Sequence, residues 1–334
     1  MFKLKKLHKN KRTYFNKKAF EMSFTWIFAI IVGAFILFLA IYGASKFVQT
    51  RRYEIDTATA AKISILLDPL ETSIESGKSS VLKVNKETRV YNECFDYGNF
   101  GKQELSTVTK SGIGGDWQEP GGNTNIYNKY IFSDNIEQGK EFSVFVKPFE
   151  FPFKISDLIF LTSKEHCFIN TPENIKEDVE DLALENIKIK ENFEESEDKC
   201  SEYSQKVCFS SGSVSNQCDV VVYGDLDYGA GRVVKNGKTM YYTGPLLYGA
   251  IFASPELYEC NVKRLMLRIG QLSRIYRDKI KITQRIGCDS LIDADLSALI
   301  SLTNSFKGSE ELSLVQMKIN DIEDKNEVAV CKIY

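Results

Sequence analysis

Histidine is scarce in this sequence: only two occur among its 334 residues, His8 and His166. No two cysteines have the C-x-x-C spacing of zinc sites, and no Walker, dinucleotide-binding, kinase or metalloprotease motif occurs. A nucleophile–histidine arrangement in the long C-terminal part would have to use His166, which directly precedes Cys167. We therefore expect no catalytic residue, no metal site and no cofactor.

Acidic residues and cysteines are missing from the N-terminal end. No acidic residue precedes Glu21, whereas eight lysines and arginines lie within the first 20 positions. The first 52 residues hold 11 of the 43 basic residues but one of the 45 acidic residues, so 32 basic and 44 acidic residues follow. A net charge of −2 thus conceals a basic end and an acidic remainder. The acidic remainder gives no reason to expect a nucleic-acid partner.

One long uncharged run, residues 24–44, dominates the N-terminal part. As a helix, 21 residues span roughly 31 Å, about the thickness of the hydrocarbon core of a bilayer. Trp26 and Tyr42 lie near its ends, where aromatic side chains favour the membrane interface. The run exceeds the 7–15 residues of a cleavable signal peptide, so we predict a retained transmembrane helix over residues 24–45 in contact with the lipid bilayer.

The flanks of this run predict its orientation. The denser Lys/Arg cluster, in residues 1–23, is expected to stay in the cytoplasm, and the long C-terminal part is expected outside the cell membrane. Small residues spaced four apart permit close packing against a second copy and predict self-association. These residues are Ala29, Gly33, Ala40 and Ala44.

All eight cysteines lie in the part predicted to be exported. An even number confined to an oxidising compartment predicts up to four disulfides, whose pairing cannot be deduced because 105 pairings exist. The candidates are Cys94, Cys167, Cys200, Cys208, Cys218, Cys260, Cys288 and Cys331.

The remaining patterns predict a mixed α+β ectodomain, with one or two units left open. Residues 46–77 have helical spacing and predict a stalk helix, residues 78–190 are β-rich with a short helix at 156–162, and residues 191–218 predict an acidic, cysteine-bearing linker or loop. Residues 219–334 predict a hairpin at Asn236-Gly237, several helices, and a terminal strand at 327–333 tied down through Cys331.

A helix beginning near Ser254-Pro255 has a continuous apolar stripe and, beside it, the one basic surface of an acidic domain. This face could meet an anionic polymer or lipid headgroups, or be an ordinary solvated face. Its residues are Lys263, Arg264, Arg268, Arg274 and Arg277.

The N-terminal part resembles type IV pilins and related archaeal pilin-like proteins. The resemblance covers residues 11–65 and consists of a basic leader, Glu21, the apolar run and a helical continuation. It implies that a peptidase removes the leader and that the exposed helices pack into a filament core. The segments KAFEMSFTWIFAIIVGAFILFLAIYGASKF, FVKPFEFPFKISDLIFLTSK and ELYECNVKRLM also resemble uncharacterised exported proteins of small-genome archaea, which implies no particular activity.

Three functions follow as hypotheses. The first is a membrane-anchored, extracytoplasmic protein of the cell envelope that acts by binding or assembly on an unknown partner, without catalysis. The second is a filament subunit formed after leader cleavage. The third is a membrane-tethered hydrolase that uses carboxylates, since 44 acidic residues supply candidates.

The filament hypothesis predicts a processed N-terminus. The mature chain should then begin near Ala19 or Phe20, because the leader is removed. Intact-mass spectrometry of the protein extracted from membranes measures this directly. A chain that still begins at Met1 would reject the hypothesis.

Overall fold

The computed structural model describes residues 24–67, 79–110, 115–191, 200–209, 217–225 and 229–334. The chain forms two compact units, Met1–Arg51 and Arg52–Tyr334. The second unit is a mixed α+β structure with four disulfides.

The first unit contains the apolar part of helix α1 (Phe24–Leu66). Among the described residues, α1 is the one helix that is long and apolar enough to cross a membrane, with a mean hydropathy of 2.7 over its most apolar 18 residues. Its side chains from Phe24 to Arg51 are exposed. The predicted stalk is helical as far as Leu66, and its remainder, with Pro69 and Gly77, lies outside the described residues.

The second unit contains two six-stranded sheets. The first sheet has the order β3-β2-β1-β5-β6-β4, with β4 parallel to β6 and the other pairs antiparallel. Its strands are β1 (Ser79–Phe95), β2 (Lys102–Thr109), β3 (Thr124–Ile126), β4 (Tyr130–Phe132), β5 (Ile136–Glu150) and β6 (Lys154–Thr162).

The second sheet has the order β12-β11-β10-β9-β7-β8. Its strands are β7 (His166–Ile169), β8 (Ile187–Lys190), β9 (Gln205–Phe209), β10 (Val220–Asp225), β11 (Ala230–Lys235) and β12 (Lys238–Thr243). The helices of the second unit, apart from the end of α1, are α2 (Glu173–Asp181), α3 (Leu246–Phe252), α4 (Pro255–Gln284), α5 (Asp293–Asn304) and α6 (Leu312–Glu327), with a 3₁₀ turn at Ser309–Glu311.

The first sheet is apolar on both faces. Along β6, Ile159 and Leu161 pack in one core with Ile63 of α1, whereas Leu158 and Phe160 belong to the larger core shared with the second sheet and the C-terminal helices. This alternation is the two-residue period of a strand. The predicted helix at 156–162 is therefore wrong, because a short apolar run buried on both sides does not distinguish a helix from a strand.

The predicted linker at 191–218 contains a central strand of the second sheet. Strand β9 pairs in parallel with β7 on one side and with β10 on the other. Residues on both sides of the predicted boundary therefore build one sheet. The acidic stretch at 192–199 lies outside the described residues. The prediction followed the acidic composition of the segment and missed its short apolar part, residues 207–209, which is buried in β9.

The hairpin prediction is confirmed. Strands β11 and β12 are antiparallel and meet at Asn236 and Gly237, whose φ angles are 52° and 72°. Positive φ at both central residues is the geometry of a type I′ turn, which asparagine and glycine accept most easily. The predicted terminal strand at 327–333 is wrong, because Glu327 ends α6 and the chain end carries no strand. Ile333 N instead donates a hydrogen bond to Asn326 Oδ1 at 2.8 Å.

All eight cysteines are paired, which confirms the disulfide prediction. The pairs are Cys94–Cys260, Cys167–Cys200, Cys208–Cys218 and Cys288–Cys331. The first pair joins β1 to α4 across 166 positions of sequence. Closing a loop of that length costs the unfolded chain about 5 kcal/mol of entropy, so this pair constrains the unfolded state most. The last pair holds the C-terminal end.

A buried polar network completes the edge of strand β4. One side of β4 pairs with β6, but on the other side Ile131 O accepts hydrogen bonds from Gln103 Nε2 (2.8 Å), Asn261 Nδ2 (2.8 Å) and Asn92 Nδ2 (3.3 Å). Ile131 N donates to Gln103 Oε1 at 2.8 Å. Side chains of β1, β2 and α4 thus replace a neighbouring strand, so the buried backbone of β4 keeps its partners.

Replacing Gln103 with alanine should destabilise the second unit strongly. The change removes both Ile131 contacts of Gln103 and leaves a buried N–H without its partner, so we expect the free energy of unfolding to fall by about 3 kcal/mol. Chemical denaturation of the full chain in detergent, followed by near-UV circular dichroism, measures the change. Gln138→Ala, at an exposed position of the same sheet, should cost less than about 0.5 kcal/mol. Equal losses would contradict the role of the network.

Candidate ligand-binding site

The predicted basic face of α4 does not exist as one exposed surface. Arg264 is fully buried, which corrects its assignment to a solvent-facing set. Arg268 is half-buried and donates from Nε to Ile155 O at 2.7 Å, while Arg274 is exposed. Lys263 lies 3.4 Å from a carboxylate oxygen of Asp96.

The fifth residue of this set, Arg277, pairs with Asp293 at 2.9 Å. The buried face of helix α4 is wider than its apolar stripe and includes the polar residues Asn261 and Arg264. A basic side chain beside the stripe therefore does not have to face water. Binding of an anionic partner by the remaining residues stays a prediction.

Arg264 is buried among neutral acceptors instead of carboxylates. Its Nη1 donates to Asn261 Oδ1 (2.9 Å), Lys129 O (3.0 Å) and Gln103 Oε1 (3.1 Å), and its guanidinium carbon lies 4.8 Å from the centre of the Tyr130 ring. Burial lowers the pKa of Arg264 to about 10. Arg264 therefore belongs to the network around Ile131 and ties α4 to the first sheet.

A cluster of buried charged groups lies where β4, β7 and β11 meet. Lys235, 2% exposed, donates to Asp134 Oδ1 (3.1 Å) and to the carbonyls of Ile251 (3.0 Å) and Ala253 (2.9 Å) at the end of α3. Lys164 forms a second ion pair with Asp134. All three protons of the Lys235 ammonium have acceptors, so the charge caps a helix C-terminus while it is buried.

His166 belongs to the same cluster and is 1% exposed. Its Nδ1 lies 3.2 Å from Lys164 O, and its ring packs edge-on against Phe252. Burial, together with the positive charge of Lys235, lowers the pKa of His166 to about 3. The adjacent Cys167 is disulfide-bonded to Cys200, so the pair offers no thiolate nucleophile.

Two carboxyl groups in this cluster have pKa values shifted in opposite directions. Burial raises the pKa of Glu137, whose oxygens accept from Ser163 N (2.7 Å) and Ser163 Oγ (2.6 Å). Burial opposes ionisation of Asp134 too, but Lys235 and Lys164 outweigh it and lower its pKa. Neither carboxyl lines the cavities described below.

The cavity with the clearest binding chemistry lies at the free end of the second sheet, where β10, β11 and β12 meet α6. We call it the tyrosine cavity; its volume is about 550 Å³. Its lining includes Tyr223, Gly231, Arg232, Tyr241, Tyr242 and Gln316. The edge of β12 is covered here, because Tyr241 N donates to Ser309 Oγ at 2.9 Å.

Two glycines make room for Tyr242 in the wall of the tyrosine cavity. Gly224, Gly231 and Tyr242 are register partners across three strands. A Cβ on Gly231 would lie 2.7 Å from the Tyr242 hydroxyl, and one on Gly224 would lie 3.1 Å from it. The hydroxyl therefore occupies the space that two side chains would otherwise fill.

Tyr242 is only 2% exposed, and its buried hydroxyl has no hydrogen-bond partner among the described residues. Burial raises its pKa to about 12, so the group is a neutral phenol at physiological pH. An unpaired buried hydroxyl costs about 1–3 kcal/mol. A ligand atom within reach would recover part of this cost.

The other polar groups of the tyrosine cavity are arranged around the tyrosine rings. Tyr223, Arg232 and Tyr241 are register partners on neighbouring strands, and the Arg232 guanidinium carbon lies 5.0 Å from the centre of the Tyr223 ring. Thr243 Oγ1 donates to Gln316 Oε1 at 2.6 Å. Arg232 and Glu310 are its charged lining residues among those described, so their charges cancel.

A neighbouring cavity of about 430 Å³ shares Tyr242 as a wall residue. It also contains Tyr248, whose hydroxyl bonds Asp178, and Lys147, which forms an ion pair with the same carboxylate. Burial raises the pKa of Tyr248. These polar groups already satisfy one another, so the tyrosine cavity is the stronger candidate.

Sequence reasoning did not identify the tyrosine cavity. The nearest signal was the hairpin at Asn236-Gly237, which places β11 beside β12, but nothing in one sequence aligns β10 with them. No protein-family model, curated protein or solved structure matches this chain. These comparisons add no residue role, and the pilin-like and archaeal resemblances stay predictions.

The buried His166 should make stability depend on pH. Because its pKa in the folded chain lies below its ordinary value near 6.5, the unfolded chain binds the proton first, and stability present above pH 6.5 is lost as the pH falls toward 3. Between pH 7 and pH 5 the wild type should lose about 2 kcal/mol more than His166→Gln. Denaturation at several pH values measures this. Parallel curves for the two proteins would contradict the neutral, buried histidine.

Proposed function

We propose that this protein is a single-pass membrane protein of the cell envelope whose N-terminus is cytoplasmic and whose second unit, Arg52–Tyr334, binds a ligand outside the membrane. The apolar part of α1 and the basic residues before it support the anchor and its orientation. The four disulfides support an oxidising compartment. The tyrosine cavity is the ligand site in this proposal.

The unpaired, buried hydroxyl of Tyr242 in the wall of this cavity carries the proposal. A suitable ligand offers a hydrogen-bonding group to this hydroxyl and an apolar face to the rings of Tyr223 and Tyr241. We assign this ligand no net charge, since the charges of Arg232 and Glu310 cancel among the described lining residues. A neutral saccharide combines these properties, because a pyranose ring carries hydroxyls at its edge and C–H groups on its faces.

Tyr242→Phe should weaken saccharide binding without destabilising the protein. Loss of one hydrogen bond to the ligand should reduce affinity about three- to tenfold, whereas removal of an unpaired buried hydroxyl should leave the free energy of unfolding unchanged or higher. The full chain, in phosphatidylcholine nanodiscs, is first screened against an array of neutral oligosaccharides. Isothermal titration with the best-bound sugar then compares the variants.

Tyr130→Phe is the matched control. Tyr130 is also buried, its hydroxyl also lacks a partner among the described residues, and it is not part of the tyrosine cavity. Its variant should bind the sugar as the wild type does. Absence of binding to every neutral sugar on the array, or equal affinities for wild type and Tyr242→Phe, would overturn the saccharide assignment.

Assembly through α1 is a second candidate function. The observation that favours it is the continuity of α1, which runs without interruption through 43 residues and presents an exposed apolar surface in its first half. In this view Ala29, Gly33, Ala40 and Ala44 allow close packing of copies of the helix. The N-terminal mass of the mature chain separates a filament subunit from a permanently anchored protein.

A further inference from the structure

A second concave site lies between the end of α1 and the first sheet, within the second unit. We call it the basic pocket; its volume is about 410 Å³. Five of its lining residues are basic, Arg52, Lys62, Lys83, Lys86 and Lys110, and none of those described is acidic. This concentration of positive charge is notable because residues 53–334 carry an excess of 12 acidic residues.

An irregularity in β1 builds one wall of the basic pocket. The pairing of β1 with β5 shifts between Lys83, opposite Glu141, and Thr88, opposite Gly139. Four residues of β1 therefore face a single residue of β5, and the bulge brings Val84, Asn85 and Lys86 to the pocket. A regular ladder would alternate these side chains between two faces of the sheet.

Some of the five cations already have carboxylate partners. Lys83 pairs with Glu141 at 3.0 Å and Lys110 pairs with Glu87 at 2.8 Å. Within the part of the chain that the structure describes, Lys62 and Lys86 form no ion pair. Their two charges match a phosphate group, which carries about −1.5 to −2 at pH 7 when bound as a monoester.

The buried carboxylate nearest in sequence to the pocket, Asp56, is hydrogen-bonded to β2. Burial raises its pKa, and the positive charges of Arg52 and Lys86 oppose that rise. Asp56, one turn after Arg52 on α1, is 4% exposed, and its Oδ1 accepts from Thr109 Oγ1 (2.9 Å) and Thr109 N (3.2 Å). These bonds also hold α1 against β2. Thr107 Oγ1 donates to Asp56 O at 2.8 Å and strengthens the same contact.

The wall formed by α1 is held in place on a second side. Gly122 N donates to Thr57 Oγ1 at 2.7 Å, and a Cβ on Gly121 would lie 2.5 Å from Thr57 N. The helix and the loop therefore approach backbone to backbone, which glycine permits. A site with rigid walls loses little conformational entropy when a ligand binds.

We propose that the basic pocket binds a phosphate-bearing ligand. Lys62 and Lys86 supply the charge that neutralises the phosphate, and Thr59 and Asn85 add uncharged polar groups. Ile55 and Val84 give the pocket an apolar side next to these cations, which suits a phosphate joined to an organic group. The phosphate could belong to a lipid headgroup or to a soluble ligand.

Replacing both unpaired lysines tests this assignment. The full chain in nonionic detergent is titrated calorimetrically with inorganic phosphate and with glycerol 3-phosphate. Lys62→Gln/Lys86→Gln should bind at least about tenfold more weakly than the wild type, because each lost hydrogen bond to a charged group contributes about 1.5–3 kcal/mol. Binding by the wild type should also weaken as the salt concentration rises.

The matched control is Lys188→Gln/Lys332→Gln, which changes the net charge equally at two exposed lysines outside the pocket. It should bind as the wild type does. Both double variants alter exposed side chains, so thermal unfolding should show that each folds. No phosphate binding by the wild type, or equal losses in the two double variants, would overturn the proposal.

A lipid arm distinguishes the two sources of phosphate. The full chain is placed in galactolipid nanodiscs that contain either phosphatidic acid or enough oleic acid to give the same surface charge. Inorganic phosphate is then titrated into each preparation. Lower affinity with phosphatidic acid alone identifies a headgroup in the pocket; equal affinity identifies a soluble ligand. This result is independent of saccharide binding in the tyrosine cavity, since the two sites share no lining residue.

Discussion

The packing of β1, β2 and α4 in the second unit depends on hydrogen bonds to the carbonyl oxygen of Ile131. This oxygen lies on the open side of β4 and accepts hydrogen bonds from side-chain amides of β1, β2 and α4. A buried backbone group that remains unpaired costs about 1–3 kcal/mol, so these amides hold three parts of the fold together. The disulfide Cys94–Cys260 reinforces the same junction, since each cysteine lies within two residues of a network amide.

The two candidate binding sites lie elsewhere in the second unit. The junction and the cluster around Lys235 stabilise the fold through hydrogen bonds and ion pairs within the second unit. The tyrosine cavity and the basic pocket lie away from both. Each forms where a strand departs from regular packing, at glycines in one case and at a bulge in the other.

Several features were predictable from the sequence because they depend on local chemistry. Asn236-Gly237 favours one turn geometry, the uncharged run at 24–44 favours a long exposed helix, and eight cysteines in one part of the chain favour disulfides. The errors have a common origin. Residues 156–162, strand β9 and Arg264 are all buried on more sides than their local pattern indicates, and burial depends on neighbours that are remote in sequence.

The sequence by itself determined the long apolar N-terminal helix, the α+β class, the hairpin and the set of paired cysteines, since charge, periodicity and turn chemistry act over a few residues. Only the tertiary structure decided the cysteine pairing, the burial of Arg264 and the two candidate sites. Tyr242 lies beside Gly231 and Gly224 across three strands, and Lys62 of α1 and Lys86 of the β1 bulge line one pocket. These residues are brought together by long-range packing, which no local sequence pattern encodes.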